Sequence, residues 1–316
     1  MKHEIKITAL LLLMFLFTQL LGLVVIDAYT PKTTEIIKNG TVQNITTINE
    51  VPYGMQPPEM KPQFSFLNII ISLAIAIAVF FLLMRIKARS LIKIWFTFVV
   101  FLTMSIAITA LLTKIFPSSD LRLDTIALLM AIPLTYFKIF KRNMVVHNAT
   151  ELLIYPGLAA VFVPILNIWT SILLLVFISI YDIYAVWKSS IMVNLAKYQI
   201  NHLKIFTGFF LPYMRRKDAK ALSIARNIKN KKEKIKRMKK IKVSLAILGG
   251  GDVAFPLIFA GVIYRTAGLA PALLIVLGST IALLLLFMFS RKGKFYPAMP
   301  FIAAGCLVGY LATIII

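Results

Sequence analysis

Two acidic residues, set in stretches otherwise suited to lipid, carry the chemistry available to this sequence. Asp182 lies in Ile180-Tyr181-Asp182-Ile183, and Asp252 follows Gly249-Gly250-Gly251 inside the apolar run 243–264. A carboxylate at membrane depth costs at least about 2.5 kcal/mol, so such a residue reads by default as part of a functional site. Two carboxyl groups within hydrogen-bonding reach cannot easily both ionise, and one proton is shared between them. One member then activates water as a general base while the other polarises a peptide carbonyl, and the roles reverse to protonate the leaving amine. The chemistry is aspartyl-type peptide hydrolysis, with no covalent intermediate, cofactor or metal. The three glycines allow close backbone approach beside Asp252 and a local departure from helix.

Composition narrows the setting in which this pair works. The chain has 316 residues, is 59% hydrophobic and carries a net charge of +23. Its mean hydropathy is +0.86. It has far more apolar material than a soluble core needs, which marks an integral membrane protein in a lipid bilayer. The basic residues lie between the apolar runs, and with no nucleic-acid-binding signature they read as loop charge facing anionic lipid. The single cysteine, Cys306, excludes an intramolecular disulfide, and His3, His147 and His202 lack metal-ligand spacing.

Runs long enough to cross the membrane fall at about 7–26, 66–84, 94–113, 123–140, 149–166, 168–187, 243–264, 267–290 and 295–315. An all-α polytopic protein with nine transmembrane helices is therefore expected. The first run exceeds a signal-peptide core and is followed by no A-x-A site, which predicts its retention. Residues 1–187 form an amino-terminal bundle of six helices with an external polar loop at 27–65. Within that loop, Asn39-Gly40-Thr41 and Asn44-Ile45-Thr46 fit glycan acceptors. Residues 188–242 form a basic loop, and 243–316 form a carboxy-terminal bundle of three helices.

Lysines and arginines set the orientation. With the amino terminus inside, 29 of the 35 basic residues are cytoplasmic, 17 of them in 188–242, and the carboxyl terminus is external. Lys138 and Lys141 are counted here among the inner-loop charges. In the basic loop, the apolar piece 205–213 is too short to span and is expected at the interface or packed on the bundle. Residues 224–241 have near-helical apolar spacing and suit an extension of the seventh helix.

At about 1.5 Å per helical residue, Asp182 lies about 9 Å in from Lys188 and Asp252 about 15 Å in from Lys242. The sixth and seventh helices run antiparallel, so the two carboxylates can face one another. Tyr296-Pro297-Ala298-Met299-Pro300 opens the ninth run at the same level. Its prolines suit an irregular, narrow turn or a plain helix start.

Tyr181-Asp182, Gly249-Gly250-Gly251-Asp252 and Pro297-Ala298-Met299-Pro300 resemble, in order, the YD, GxGD and PAL motifs of the presenilin and signal peptide peptidase family, and the chain resembles an archaeal-type presenilin homologue. The resemblance implies nine crossings, Asp182 and Asp252 as the catalytic pair, and a Pro297-Ala298-Met299 segment that shapes the site and contacts substrate. Methionine stands at 299 where the family has leucine, a replacement of similar volume. The substrates implied are transmembrane-helix proteins of the cell membrane, and no partner subunit follows from the sequence. Cytoplasmic placement of 188–242 agrees with the presenilin orientation, the signal peptide peptidases being opposite. The alternative weighed is a proton- or cation-coupled transporter, since buried aspartates on broken helices also bind ions. It lacks a matching pair of interrupted segments in the two halves.

Overall fold

The structure is a computed structural model and describes residues 5–38, 41–47, 51–54, 62–86, 88–117, 122–141, 143–188, 207–213, 244–290 and 296–315. Among these residues the order is α1 (Ile5–Ala28), β1 (Lys32–Lys38), β2 (Thr41–Thr47), α2 (Pro62–Arg85), α3 (Arg89–Ile115), α4 (Leu123–Phe140) and α5 (Met144–Phe162). There follow a 3-10 turn (Val163–Ile165), α6 (Ile168–Trp187), β3 (Gly208–Tyr213), β4 (Ser244–Gly249), α7 (Gly250–Ala267), α8 (Leu269–Phe289) and α9 (Met299–Ile315). The fold is mostly helical, as expected. Among the described residues, six helices are long and apolar enough to cross a membrane: α1, α3, α4, α5 with its 3-10 turn, α6 and α8. The apolar part of α2 and the 17-residue α9 are shorter, and α7, which opens on Gly250-Gly251-Asp252 and ends near Arg265, is less apolar.

Two antiparallel two-stranded sheets correct the all-α expectation. β1 pairs with β2 inside the stretch 27–65, where a loop was expected. Asn44 falls in β2, while Asn39 lies outside the described residues. β3 pairs with β4 from Gly208↔Gly249 to Tyr213↔Ser244. The apolar run 243–264 is therefore not one helix, since its first part is strand and the helix begins at Gly250. Glycine favours such a break, and pairing with β3 satisfies backbone groups that would otherwise be stranded away from water. The piece 205–213 packs on the bundle through its described part, with Phe209 and Leu211 buried. Residues 224–241 lie outside the described residues.

α7 is the central helix and contacts α1, α5, α6, α8 and α9. Leu257, Phe259, Ala260, Val262 and Ile263 are at most 1% exposed. α6 starts from a capping box in which the Thr170 amide donates to Asn167 Oδ1 at 2.8 Å and the Asn167 amide to Thr170 Oγ1 at 2.9 Å. α8 and α9 meet backbone to backbone: a Cβ added at Gly278 would lie 2.3 Å from the Gly305 carbonyl oxygen, and one at Gly309 would lie 2.6 Å from that of Leu274.

Candidate active site

Asp252 is the third residue of α7, one turn past the strand, and is half-buried. Gly249 stands at the N-cap, with its amide directed at the Asp252 carboxylate three residues on. The helix dipole adds a favourable field for negative charge at this position. Gly249 is needed for contact: a Cβ there would lie 3.0 Å from Asp252 Oδ2. Gly250 is needed for packing, since its Cβ would lie 2.9 Å from the Tyr155 hydroxyl, whereas Gly251 is exposed and an added Cβ would meet only Phe255, at 3.5 Å. Because 244–249 is extended, the helical depth reckoned from Lys242 does not hold. The level of Asp252 is set by where the strand ends.

Asp182 lies in the last turns of α6 and is 9% exposed. Its Oδ2 accepts a hydrogen bond from the Met299 amide at 3.1 Å, and the Ala298 amide is also directed at this carboxylate. These amides open α9, whose first helical bond runs from the Ile302 amide to the Ala298 oxygen at 3.1 Å. The first amides of a helix have no partner within it, so the aspartate of α6 serves as a cap for α9. Pro300 fits in that first turn because a proline there forfeits no helical bond. Pro297 and Met299 are buried, while Tyr181 is 40% exposed.

α6, α7 and α9 pack against one another, which brings the helices that carry the two acids together. Three segments distant in sequence thus converge: the end of α6, the start of α7 and the start of α9. Each carboxylate sits at a helix amino terminus, Asp252 at its own and Asp182 at that of α9. Such an arrangement can hold two acids side by side in an apolar bundle with backbone donors on both.

A model of the signal-peptide peptidase, presenilin aspartyl protease family matches residues 44–316. The chain belongs to this family. Its activity is that of an intramembrane aspartyl protease. Two solved structures have the same fold. A presenilin family intramembrane aspartate protease in a C222 crystal is 20% identical with a TM-score of 0.61, over 96% of this chain and 97% of that one. A presenilin family intramembrane aspartate protease in a P2 crystal is 18% identical with a TM-score of 0.61, over 96% of each chain. No curated protein matches the chain.

Beside Asp252, and behind the strand paired with the one that leads to it, lie polar residues that the sequence reading passed over. Gln19 of α1 is fully buried, and its Nε2 donates to the Val253 oxygen at 2.9 Å, next to Asp252. Lys138, counted above as an inner-loop charge, is 8% exposed and pairs with Glu151 at 2.7 Å. Glu151 lay at the edge of the expected fifth run and His147 outside it. α5 in fact starts at Met144, capped by Asn143, which accepts from the Val145 amide at 2.9 Å. The signal in the sequence was the spacing His147, Glu151, Tyr155, one stripe at i, i+4, i+8 on a largely apolar helix.

Proposed function

We propose that Asp182 and Asp252 are the catalytic dyad of this protease and that its substrates are single transmembrane helices. One carboxylate takes a proton from water as the water oxygen attacks the peptide carbonyl carbon; the other, protonated, gives its proton to the carbonyl oxygen. Collapse of the tetrahedral intermediate breaks the C–N bond, with the proton returned to the amine nitrogen. The observation that supports this reading is the mutual contact of α6, α7 and α9, with the Met299 amide bonding Asp182 at the start of α9.

A helical substrate hides its peptide groups in internal hydrogen bonds and must unwind before a carbonyl reaches the acids. The β3–β4 pair next to Asp252 is suited to holding an extended segment by strand addition, and Pro297, Ala298, Met299 and Pro300 shape the other wall. Tyr181, Gly249, Gly250 and Gly251 complete the set that shapes the site. The polypeptide crosses the cell membrane nine times, with the amino terminus and 188–242 in the cytoplasm and the carboxyl terminus external. The excess of cytoplasmic lysine and arginine supports this orientation.

The test is cleavage of a labelled transmembrane peptide by the purified protein and by Asp182→Asn and Asp252→Asn. Each variant is expected to lose activity by at least about a hundredfold, the low end of what general acid–base groups contribute. Undiminished cleavage by either variant overturns the assignment.

A further inference from the structure

We propose that Asn148 and His147 of α5, braced by the buried Lys138–Glu151 pair, are positioning residues that fix β3 and, through its pairing with β4, the turn carrying Asp252. The inference rests on the reading of Asp252 as catalytic. Asn148 spends both ends of its amide on one strand residue: Nδ2 donates to the Phe210 oxygen at 3.0 Å, and Oδ1 accepts from the Phe210 amide at 3.2 Å. Two residues in a hydrogen-bonded antiparallel pair exchange the same two bonds. Asn148 therefore stands where a third strand would.

His147 continues this edge, with Nε2 2.9 Å from the Gly208 oxygen. Gly208 and Phe210 are two apart, so their backbone groups face the same side of β3, and those of Phe209 and Leu211 face β4. This is the alternation that the register Phe209↔Leu248 and Leu211↔Ala246 requires. A carbonyl accepts only, so Nε2 carries the ring proton, which leaves Nδ1 as the acceptor turned to Lys138 Nζ at 3.5 Å. Lys138 Nζ donates in turn to Glu151 Oε1 at 2.7 Å, and that oxygen is 3.4 Å from His147 Nε2. The tautomer that can hold Gly208 is thus selected by a lysine, and the lysine is held by a glutamate that is 1% exposed.

A helix-to-helix ion pair could tie α4 to α5 without touching the strands. Here the polar cluster instead ends on strand backbone, at the residue pair that contains the Gly249 N-cap: Gly208, which His147 holds, is the register partner of Gly249. Gly208 has φ +118°, and a Cβ there would lie 2.4 Å from the Leu248 oxygen, so no other residue fits this link. Farther along the α5 stripe, Tyr155 packs edge-on to Phe209 with ring centroids 5.7 Å apart and lies against Gly250. One face of α5 therefore meets both the outer edge of β3 and the first residue of Asp252's helix.

The test uses the full-length protein with the labelled transmembrane peptide and reads kcat, KM and amide hydrogen exchange together. Asn148→Leu is expected to lower kcat at least tenfold with KM within twofold. It should speed amide exchange in 208–213 and 244–249 at least tenfold and leave α8 and α9 unchanged. His147→Leu should behave likewise, while His147→Gln, whose amide nitrogen can still donate to the Gly208 oxygen, should recover to within threefold of the parent kcat. Wild-type kcat in Asn148→Leu, a His147→Gln no better than His147→Leu, or exchange rising equally in α8 and α9 overturns the inference. Asp252→Asn separates the two claims. If it cleaves as well as the parent, the dyad reading fails, and faster exchange in Asn148→Leu confined to the two strands still supports a clamp on the β3–β4 pair, while unchanged exchange overturns it.

Discussion

The two walls of the site are held by opposite means. Asp182's donors come from α9, which is seated on α8 by glycines so close that backbone oxygens fill the space of the absent side chains. Asp252's turn is backed by α5 through polar side chains, with Asn148, His147, Lys138 and Glu151 making directed bonds. In lipid both are legitimate ways to join elements, since apolar side chains gain little there by leaving lipid tails. They fail differently: a glycine seam has no room for even one methyl group, whereas a polar clamp tolerates any group that keeps the bond and punishes an orphaned partner.

The largest effect is expected at the seam. Gly278→Ala puts a Cβ 2.3 Å from the Gly305 oxygen, and backbone on both sides cannot step aside. Thermal unfolding should show a loss of at least about 3 kcal/mol, the upper range for overpacking, and cleavage should disappear with the displaced α9. An unchanged melting temperature would mean that the seam is softer than its geometry. Next comes the clamp: Glu151→Leu strands Lys138 without its carboxylate and should cost about 3–5 kcal/mol, whereas Lys138→Met combined with Glu151→Leu should restore most of that. Equal melting temperatures for the single and double variants would show that the ion pair does not behave as one unit.

Gly249→Ala sharpens the contrast because the clash is with a side chain. The new methyl would press on Asp252 Oδ2 at 3.0 Å, and φ −64°, ψ 146° suit alanine. Stability should stay within about 1 kcal/mol while kcat falls at least tenfold, measured by unfolding and by peptide cleavage. The smallest effect is expected for Met299→Leu. Met299 is 3% exposed but reaches Asp182 through its amide, so a side chain of like volume should leave kcat within threefold and stability within about 1.5 kcal/mol.

The same contrast explains what the sequence made legible. The helical rise reckoned from Lys188 back to Asp182 holds because α6 is a regular helix with a cap at Asn167, so a uniform rise along an apolar run describes it. The run holding Asp252 was equally apolar but was extended through Gly249, because a partner strand about 40 residues earlier took up its hydrogen bonds. Hydropathy is blind to that partner, and both states of an apolar segment look alike to it. The clamp was hidden for a related reason. Lys138 and Glu151 each looked like the edge of an apolar run, and only the helix that begins at Met144 brings them inside. The turn at 297–300 was legible through its prolines, but its bond to Asp182 was not, since a main-chain donor leaves no letter in the sequence.

That last bond bears on how the fold can drift over time. What grips Asp182 is peptide nitrogen, common to every residue type but proline, so the lettering at 298 and 299 can change among side chains that fill the same space while the grip persists. A search pattern demanding leucine at 299 would pass this enzyme by, whereas one asking for a helix start facing an acid of a neighbouring helix would find it.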